Sequence, residues 1–202
     1  ISIIKTIKVK FVSSIYRYFN YFLTNFFISY VKKIPNDKFV YFPLHLQPEA
    51  TLLSTAPVFS DQLSVVRAFS ASLPAGYKLI VKDYPLQAGI RPLKFYKEIK
   101  KLPNTLLFHR LFPSQKLVER CEAITTLQGT AAFEGLLRGK KAIILNCAFY
   151  ETIYGAKVIN NYKELQYTFK NFLYEKFDKK LHERSLNSFL KAWLDIVYEK
   201  SN

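Results

Sequence analysis

The tightest constraint on the fold lies between Cys121 and Leu145, where two short runs, CEAITT and KAIIL, bracket the stretch LQGTAAFEGLLRGK at Leu127–Lys140. Apolar, β-branched runs of this length read as strands buried on both faces. Between them, Ala131, Ala132, Leu136 and Leu137 favour a helix. Gln128 and Gly129 are expected to form the turn, Thr130 to cap the helix with its hydroxyl, and Gly139 to stop it. Strand, helix and strand in this order make a βαβ unit, the connection that joins parallel strands. A glycine at the turn lets backbone approach a ligand closely, and a helix start offers unpaired N–H groups at the positive end of its dipole, which together suit a phosphate. Glu134, one turn into the helix, is placed to accept hydrogen bonds from ribose hydroxyls of the same ligand. The plain alternative is an ordinary βα turn, with small residues for packing and an exposed glutamate.

The alternation extends upstream. Lys38–Leu44 (KFVYFPL) is expected to be a strand, residues 45–57 (HLQPEATLLSTAP) a long loop, and Val58–Leu73 a helix. Tyr77–Lys82 (YKLIVK) follows as a strand, Asp83–Arg91 as a loop, Pro92–Lys101 as a helix with proline in its first turn, Thr105–Phe108 as a strand and Ser114–Arg120 as a helix. Such alternation implies an α/β fold, a doubly wound parallel sheet with helices on both faces. After Leu145 comes an aromatic loop, NCAFYETIYGA, and then two helices. One carries Leu165, Phe169, Phe172 and Leu173 on one face; the other carries Leu186, Phe189, Leu190, Trp193, Leu194 and Val197 at helical spacing, and both stripes read as core. The expected organisation is residues 1–36 as an aromatic, basic helical segment, 37–160 as the ligand-binding domain, and 161–202 as helices packed on it.

Thirty basic against fifteen acidic residues give a net charge of +15, which favours an anionic partner such as a nucleotide, an anionic polysaccharide or a lipid headgroup. No compact arginine-rich tract is present, and nucleic acid is not expected as a partner. Residues 1–36 hold six basic side chains (Lys5, Lys8, Lys10, Arg17, Lys32, Lys33) and no acidic one. This segment looks helical but not membrane-spanning: its longest uncharged run, Tyr18–Val31, includes Asn20 and Asn25 and falls short of the roughly 20 apolar residues a span needs. It suits either a membrane interface or packing against a domain outside this chain. Packing is slightly favoured, because the aromatics go round the helix. Methionine is absent even at position 1, so the chain is expected to begin inside a longer product, and no cleaved secretory signal is expected. Cys121 and Cys147 fall in or beside strands and are expected as buried thiols; His45, His109 and His182 are far apart, and no metal site is expected.

Three loops leave the carboxyl ends of expected strands, at residues 45–57, 82–91 and 128–130, and a doubly wound sheet can bring them to one crevice. They offer His45, Gln47, Glu49, Lys82, Tyr84, Arg91 and the helix start at Thr130. Cations and a helix dipole for a phosphate, with a carboxylate for sugar hydroxyls, make a nucleotide or nucleotide-sugar site.

The segments YFPLHLQPEAT, FSDQ, LPAGYKLIVKDYP, LPNTLLF and TTLQGTAAFEGLLRGKKAIIL, with Phe149 and Tyr150 beyond, together resemble the capsule and surface-polysaccharide biosynthesis glycosyltransferases, a group that includes Kdo transferases. The resemblance covers about residues 39–150. It implies the Rossmann-like, carboxyl-terminal donor-binding half of a GT-B enzyme of the bacterial cytoplasm or inner-membrane surface, with an amino-terminal half outside this chain. The implied substrates are a CMP-, UDP- or GDP-linked sugar and a glycan or glycolipid acceptor, with no metal. The site residues it implies are Gln47, Lys82, Tyr84, Pro85, Gln128, Gly129, Thr130, Ala131 and Glu134, with His45 and Glu49 as candidates for the catalytic base. Where the family has a Lys-Glu-His-Pro sequence, this chain has Lys82, Asp83, Tyr84 and Pro85; tyrosine can donate a hydrogen bond but cannot become a cation near neutral pH. Two other readings are a non-catalytic basic module for anionic polymer or membrane, and a nucleotide-sugar epimerase-like domain.

Overall fold

The computed structural model describes residues 3–46 and 59–199. It contains one six-stranded sheet, parallel throughout, in the order β3-β2-β1-β4-β5-β6. The strands are β1 (Lys38–Pro43), β2 (Tyr77–Lys82), β3 (Thr105–Phe108), β4 (Ala123–Thr126), β5 (Lys141–Leu145) and β6 (Ala156–Ile159). The helices are α1 (Ile3–Phe27), α2 (Gln62–Ser72), α3 (Leu93–Lys100), α4 (Ser114–Arg120), α5 (Thr130–Leu137), α6 (Tyr162–Tyr174) and α7 (Lys179–Glu199). The α/β, Rossmann-like architecture is thus the one the sequence implies. Because the chain runs from β1 through β2 to β3 on one side and returns to β4 on the other, the connections reverse between β1 and β4.

Side chains alternate across the strands, so each strand feeds two cores. Val40, Phe42, Leu79 and Val81 pack under α2 and α6, where Phe69 and Phe169 meet at 5.2 Å between ring centroids. Phe39, Tyr41, Ile80, Ile124 and Ile144 pack under α4 and α5 through Leu117, Ala132 and Leu136. Helix ends are satisfied locally. Asp61 caps α2 by accepting from Leu63 N at 3.1 Å, which places the helix start after the expected Val58, a residue outside those described. Asn161 and Glu164 form a reciprocal cap on α6. At the other end of α6, the buried Lys141 ammonium donates to the carbonyls of Phe172 (2.6 Å), Leu173 (3.3 Å) and Glu175 (2.5 Å).

Four expectations need correction. β6 falls where only loop was expected; Ala156–Ile159 is too short for its pattern to stand out, and its pairing with β5 supplies what local sequence does not. Thr130 does not cap α5: Gly129 holds the cap position and Thr130 is the first helical residue. The closing stripe is core only in part, because α7 packs on the body through Leu186 and through Phe189 and Trp193 against Phe133 and Phe149, while Leu194 and Val197 beyond are half exposed. Of the two free thiols, Cys121 is buried, which pushes its pKa up to about 12, whereas Cys147 is exposed just past β5.

Helix α1 turns a polar stripe to the body. Arg17 donates to Leu86 O (3.0 Å) and Ala88 O (2.9 Å), and buried Asn20 donates to Gly89 O (3.0 Å) and Arg91 O (2.5 Å). The chain then adds a single bridge to the edge of β3, with Val31 N donating to Leu107 O at 2.9 Å. Gly89 makes this crossing possible. It has φ +74°, and a Cβ there would lie 2.1 Å from the Arg17 carbonyl oxygen. Gly89→Ala is therefore expected to lower unfolding free energy by about 2 kcal/mol or more, from left-handed strain plus overpacking. Gly76→Ala, at φ +81° with nothing near its Cβ, should cost only the strain, about 1 kcal/mol. Equal losses for the two variants in urea titrations would show that α1 does not press on this loop.

Candidate functional site

The carboxyl ends of β2, β1 and β4 lie side by side at the reversal point, where open α/β sheets bind ligands. One hydrogen-bonded network ties their loops together. His45, just beyond β1, receives Leu127 N–H at its Nε2 (3.2 Å) and lies 2.9 Å from Thr126 Oγ1 through the same nitrogen. Thr126 Oγ1 in turn accepts Gly129 N–H at 2.7 Å, so its hydroxyl proton is free to point at His45. Nε2 is then an acceptor from both sides, which makes His45 the neutral tautomer with its proton on Nδ1. The His45 backbone is clipped by the Gln62 amide, with His45 N–H donating to Oε1 at 2.8 Å and Nε2–H donating to His45 O at 3.2 Å.

Arg91 continues the network. Its guanidinium donates to His45 O and Gln62 Oε1 and pairs with Asp83 Oδ1 at 3.2 Å; both partners of the ion pair are nearly fully buried. Asp83 also accepts from Tyr84 N (2.7 Å) and Tyr96 OH (2.5 Å), and burial together with that carboxylate raises the Tyr96 pKa. Arg91, expected to serve a phosphate, is thus consumed as scaffold. Asp83, Gln62, Thr126 and Tyr150 are structural members that sequence reasoning reached only as parts of the segments it quoted and gave no role in the site. Tyr150 donates from its hydroxyl to Gly129 O at 2.6 Å, fastening the turn from the far side. The one sequence signal for Tyr150 was its place in the Phe149–Tyr150 pair.

Around this scaffold, the groups open to a ligand are few. Lys82, the last residue of β2, is 6% exposed and donates no hydrogen bond to any described residue. Burial lowers its pKa, Asp83 partly opposes that shift, and its charge reaches His109, whose pKa is lowered by burial, Arg110 and Lys82. The amino end of α5 has no side-chain cap; Gly129 N is taken by Thr126, which leaves the N–H groups of Thr130 and Ala131 for a ligand or water. Tyr84 is 45% exposed and Pro85 opens a single 3-10 turn beside it. Gln128 donates to Cys147 Sγ at 3.6 Å, and Glu134 is exposed on α5. Gln47 and Glu49 lie outside the described residues. Gly129 has an ordinary extended backbone; a Cβ there would fall 2.7 Å from Thr126 Oγ1 and 2.8 Å from His45 Cε1. The network itself requires that glycine, whatever approaches from solvent.

A cavity of about 540 Å³ lies at the opposite end of α5, lined by Arg138, Lys140, Lys179 and His182. Although basic, it faces the helix carboxyl end, whose dipole disfavours anions. His182 in its wall has each ring nitrogen at a backbone carbonyl, Tyr154 O at 2.6 Å and Leu136 O at 2.8 Å, which serves to fasten α7.

A family model described as "Capsule polysaccharide biosynthesis protein" matches residues 4–190. Among solved structures, the beta Kdo 2,7 transferase KpsC of Thermosulfurimonas dismutans is similar at 13% identity over 80% of this chain and 48% of that one, with a TM-score of 0.51. The spinosyn rhamnosyltransferase SpnG complexed with thymidine diphosphate is similar at 11% identity over 80% and 45%, with a TM-score of 0.52. S. aureus MnaA in a co-structure with UDP is similar at 14% identity over 80% and 44%, with a TM-score of 0.50. These likenesses are of fold, and the chain spans about half the length of each. No curated protein matches the sequence.

Burial and the Arg91 charge lower the His45 pKa from 6.5 to about 4. Between those values the unfolded chain binds a proton that the folded one refuses, so stability is full above about pH 6.5 and falls as pH drops toward 4. The loss from this residue should approach about 3 kcal/mol. His45→Gln, which cannot titrate, should show a correspondingly flatter profile in urea titrations at pH 7, 5.5 and 4.5. Parallel profiles for the two proteins would place the imidazole outside the network.

Proposed function

The chain belongs to the capsule polysaccharide biosynthesis protein family, and from that premise we propose that it is the nucleotide-sugar-binding part of a glycosyltransferase in bacterial surface polysaccharide synthesis. The observation that carries this reading is the crevice at the sheet reversal. There a buried lysine without a hydrogen-bond partner among the described residues, Lys82, and an uncapped helix start at Thr130 stand on loops locked by a single network. Burying a cation without a partner costs stability, and such a group is retained where a ligand supplies the missing charge.

In the proposed reaction, an acceptor hydroxyl attacks the anomeric carbon of the donor sugar, a carbon–oxygen bond forms, and the bond from that carbon to the phosphate oxygen breaks. Negative charge gathers on the departing phosphate. The Lys82 ammonium and the N–H groups of Thr130 and Ala131 meet it without having to reorganise, because the scaffold already fixes them. Glu134 accepts from ribose hydroxyls, and Tyr84 and Gln128 flank the sugar and phosphate from the two loop tips. Pro85 holds the Tyr84 loop in its turn. The acceptor proton needs a base. His45 does not supply it in this geometry, because its Nε2 lone pair is held by Leu127 N–H and the Thr126 hydroxyl. We assign the base to the part of the two-domain architecture that this chain does not span, together with most of the acceptor site, so residues 1–202 alone should turn over little or no donor.

Lys82→Met separates this reading from a structural role for the lysine. Without ligand, the variant should melt at or above the wild-type temperature, since it removes a buried, unpaired charge. Across a panel of CMP, UMP, UDP and GDP, one nucleotide should stabilise the wild type by about 2.7 kcal/mol at one hundred times its dissociation constant. The variant should lose most of that gain. A normal nucleotide response from Lys82→Met would remove the ammonium from the phosphate site.

A further inference from the structure

Helix α1 is amphipathic in the reverse of the usual sense. Arg17, Asn20 and Thr24, spaced at i, i+3 and i+7, share one face, and that polar face meets the body: Asn20 and Thr24 are buried, and Arg17 and Asn20 bind four carbonyls of the loop at Leu86–Arg91. The opposite face carries Phe11, Ile15, Phe19, Phe22 and Phe26, each between 55% and 72% exposed. Every described side chain from Ile7 to Phe19 is exposed, so the first half of the helix stands clear of the body. An aromatic row of this length on a surface helix calls for an occupant.

Charge selects it. Residues 1–36 hold six basic side chains and no acidic one, in a chain of net charge +15. Lys8 falls one turn from Phe11 and Val12 and two turns from Ile15 on the outward side, while Lys10, also exposed, lies two turns before Arg17 in the half of the helix that stands clear of the body. Lysine is depleted from the centre of protein–protein interfaces, whereas aromatics interspersed with lysines whose stems lie along an apolar surface are the pattern of a helix lying at anionic headgroups. No described helix is long and apolar enough to cross a membrane.

We propose that the outward face of α1 docks on an anionic lipid surface, with its aromatic side chains at headgroup depth and its lysines on lipid phosphates. The inner stripe then carries the consequence to the crevice. The loop held by Arg17 and Asn20 is the one that begins at Lys82 and Tyr84 and ends at Arg91, so the docked helix presents the donor-binding loop about one helix diameter, roughly 10 Å, from the lipid surface. This inference stands apart from the nucleotide reading and would survive its failure.

The full 202-residue chain is to be sedimented with vesicles of phosphatidylcholine alone and of phosphatidylcholine with about one-third phosphatidylglycerol. Binding is expected to the anionic vesicles, weakened by salt, with at least roughly tenfold less binding to the neutral ones. Two sets of substitutions at exposed positions probe the two contributions: Phe19→Ser with Phe22→Ser for the aromatic face, and Lys8→Glu with Lys10→Glu for the charge. Each set should lower binding to anionic vesicles by roughly tenfold or more, with the melting temperature and any nucleotide response unchanged. Absence of vesicle binding, equal binding to both vesicle types, or unaltered binding by both variants would overturn the proposal. A dimer in light scattering that the Phe19→Ser, Phe22→Ser protein cannot form would overturn it too, by giving the face to a second copy.

Discussion

The crevice depends on a neutral imidazole. His45 accepts from Leu127 N–H and the Thr126 hydroxyl through one nitrogen, and the same residue's backbone is held by Gln62 and Arg91. Through it the loops after β1, β2 and β4 become one rigid unit, although their sequences are separated by some eighty residues in the longest link. If His45 were charged, Nε2 would carry a proton where two donors already point, and the turn leading into α5 would have to open. Gly129 is fixed by the same requirement, since any side chain there would displace either His45 or Thr126.

Two buried cations show how the network divides structure from function. Arg91 is 4% exposed and Lys82 6%, and both face the same few loops. Arg91 is neutralised by Asp83 and spends its donors on backbone and amide oxygens, which suits a planar fork. Among the described residues Lys82 has no such partner. The ion pair beside it makes Lys82 tolerable without satisfying it, and the lysine ends β2 beside Pro43 of β1, on the same edge of the parallel sheet as the end of β4 that leads into α5. A site arranged this way gains more from an anionic ligand than it loses in its absence.

Much of the sheet was legible from residue patterns. β1, β2 and β5 are short apolar runs because both of their faces are covered, and the stretch after β4 carried the turn and helix in order. What escaped were features that depend on contacts distant in sequence. β6 is defined by its neighbour β5 and not by its own four residues. The stripe on α7 follows helical spacing to its end, yet spacing alone cannot show that the body stops near Trp193. Arg91 and Lys82 read alike as cations at loop edges, and what distinguishes them is that the fold brings His45 O and Gln62 Oε1, far away in sequence, to Arg91 alone. In α1, the count of aromatics around the helix hid the more informative fact, which side faces inward.

The central claim is that a nucleotide phosphate sits between Lys82 and the start of α5. Its most direct test is amide NMR of the isotopically labelled chain, titrated with the nucleotide that stabilises it most. The account predicts perturbations centred on Thr126–Ala131 and on Lys82–Tyr84, with the Lys82 ammonium signal sharpening as exchange slows. Perturbations centred on Arg138, Lys140, Lys179 and His182, with the turn at Gly129 unmoved, would place the ligand in the cavity at the other end of α5 and contradict it.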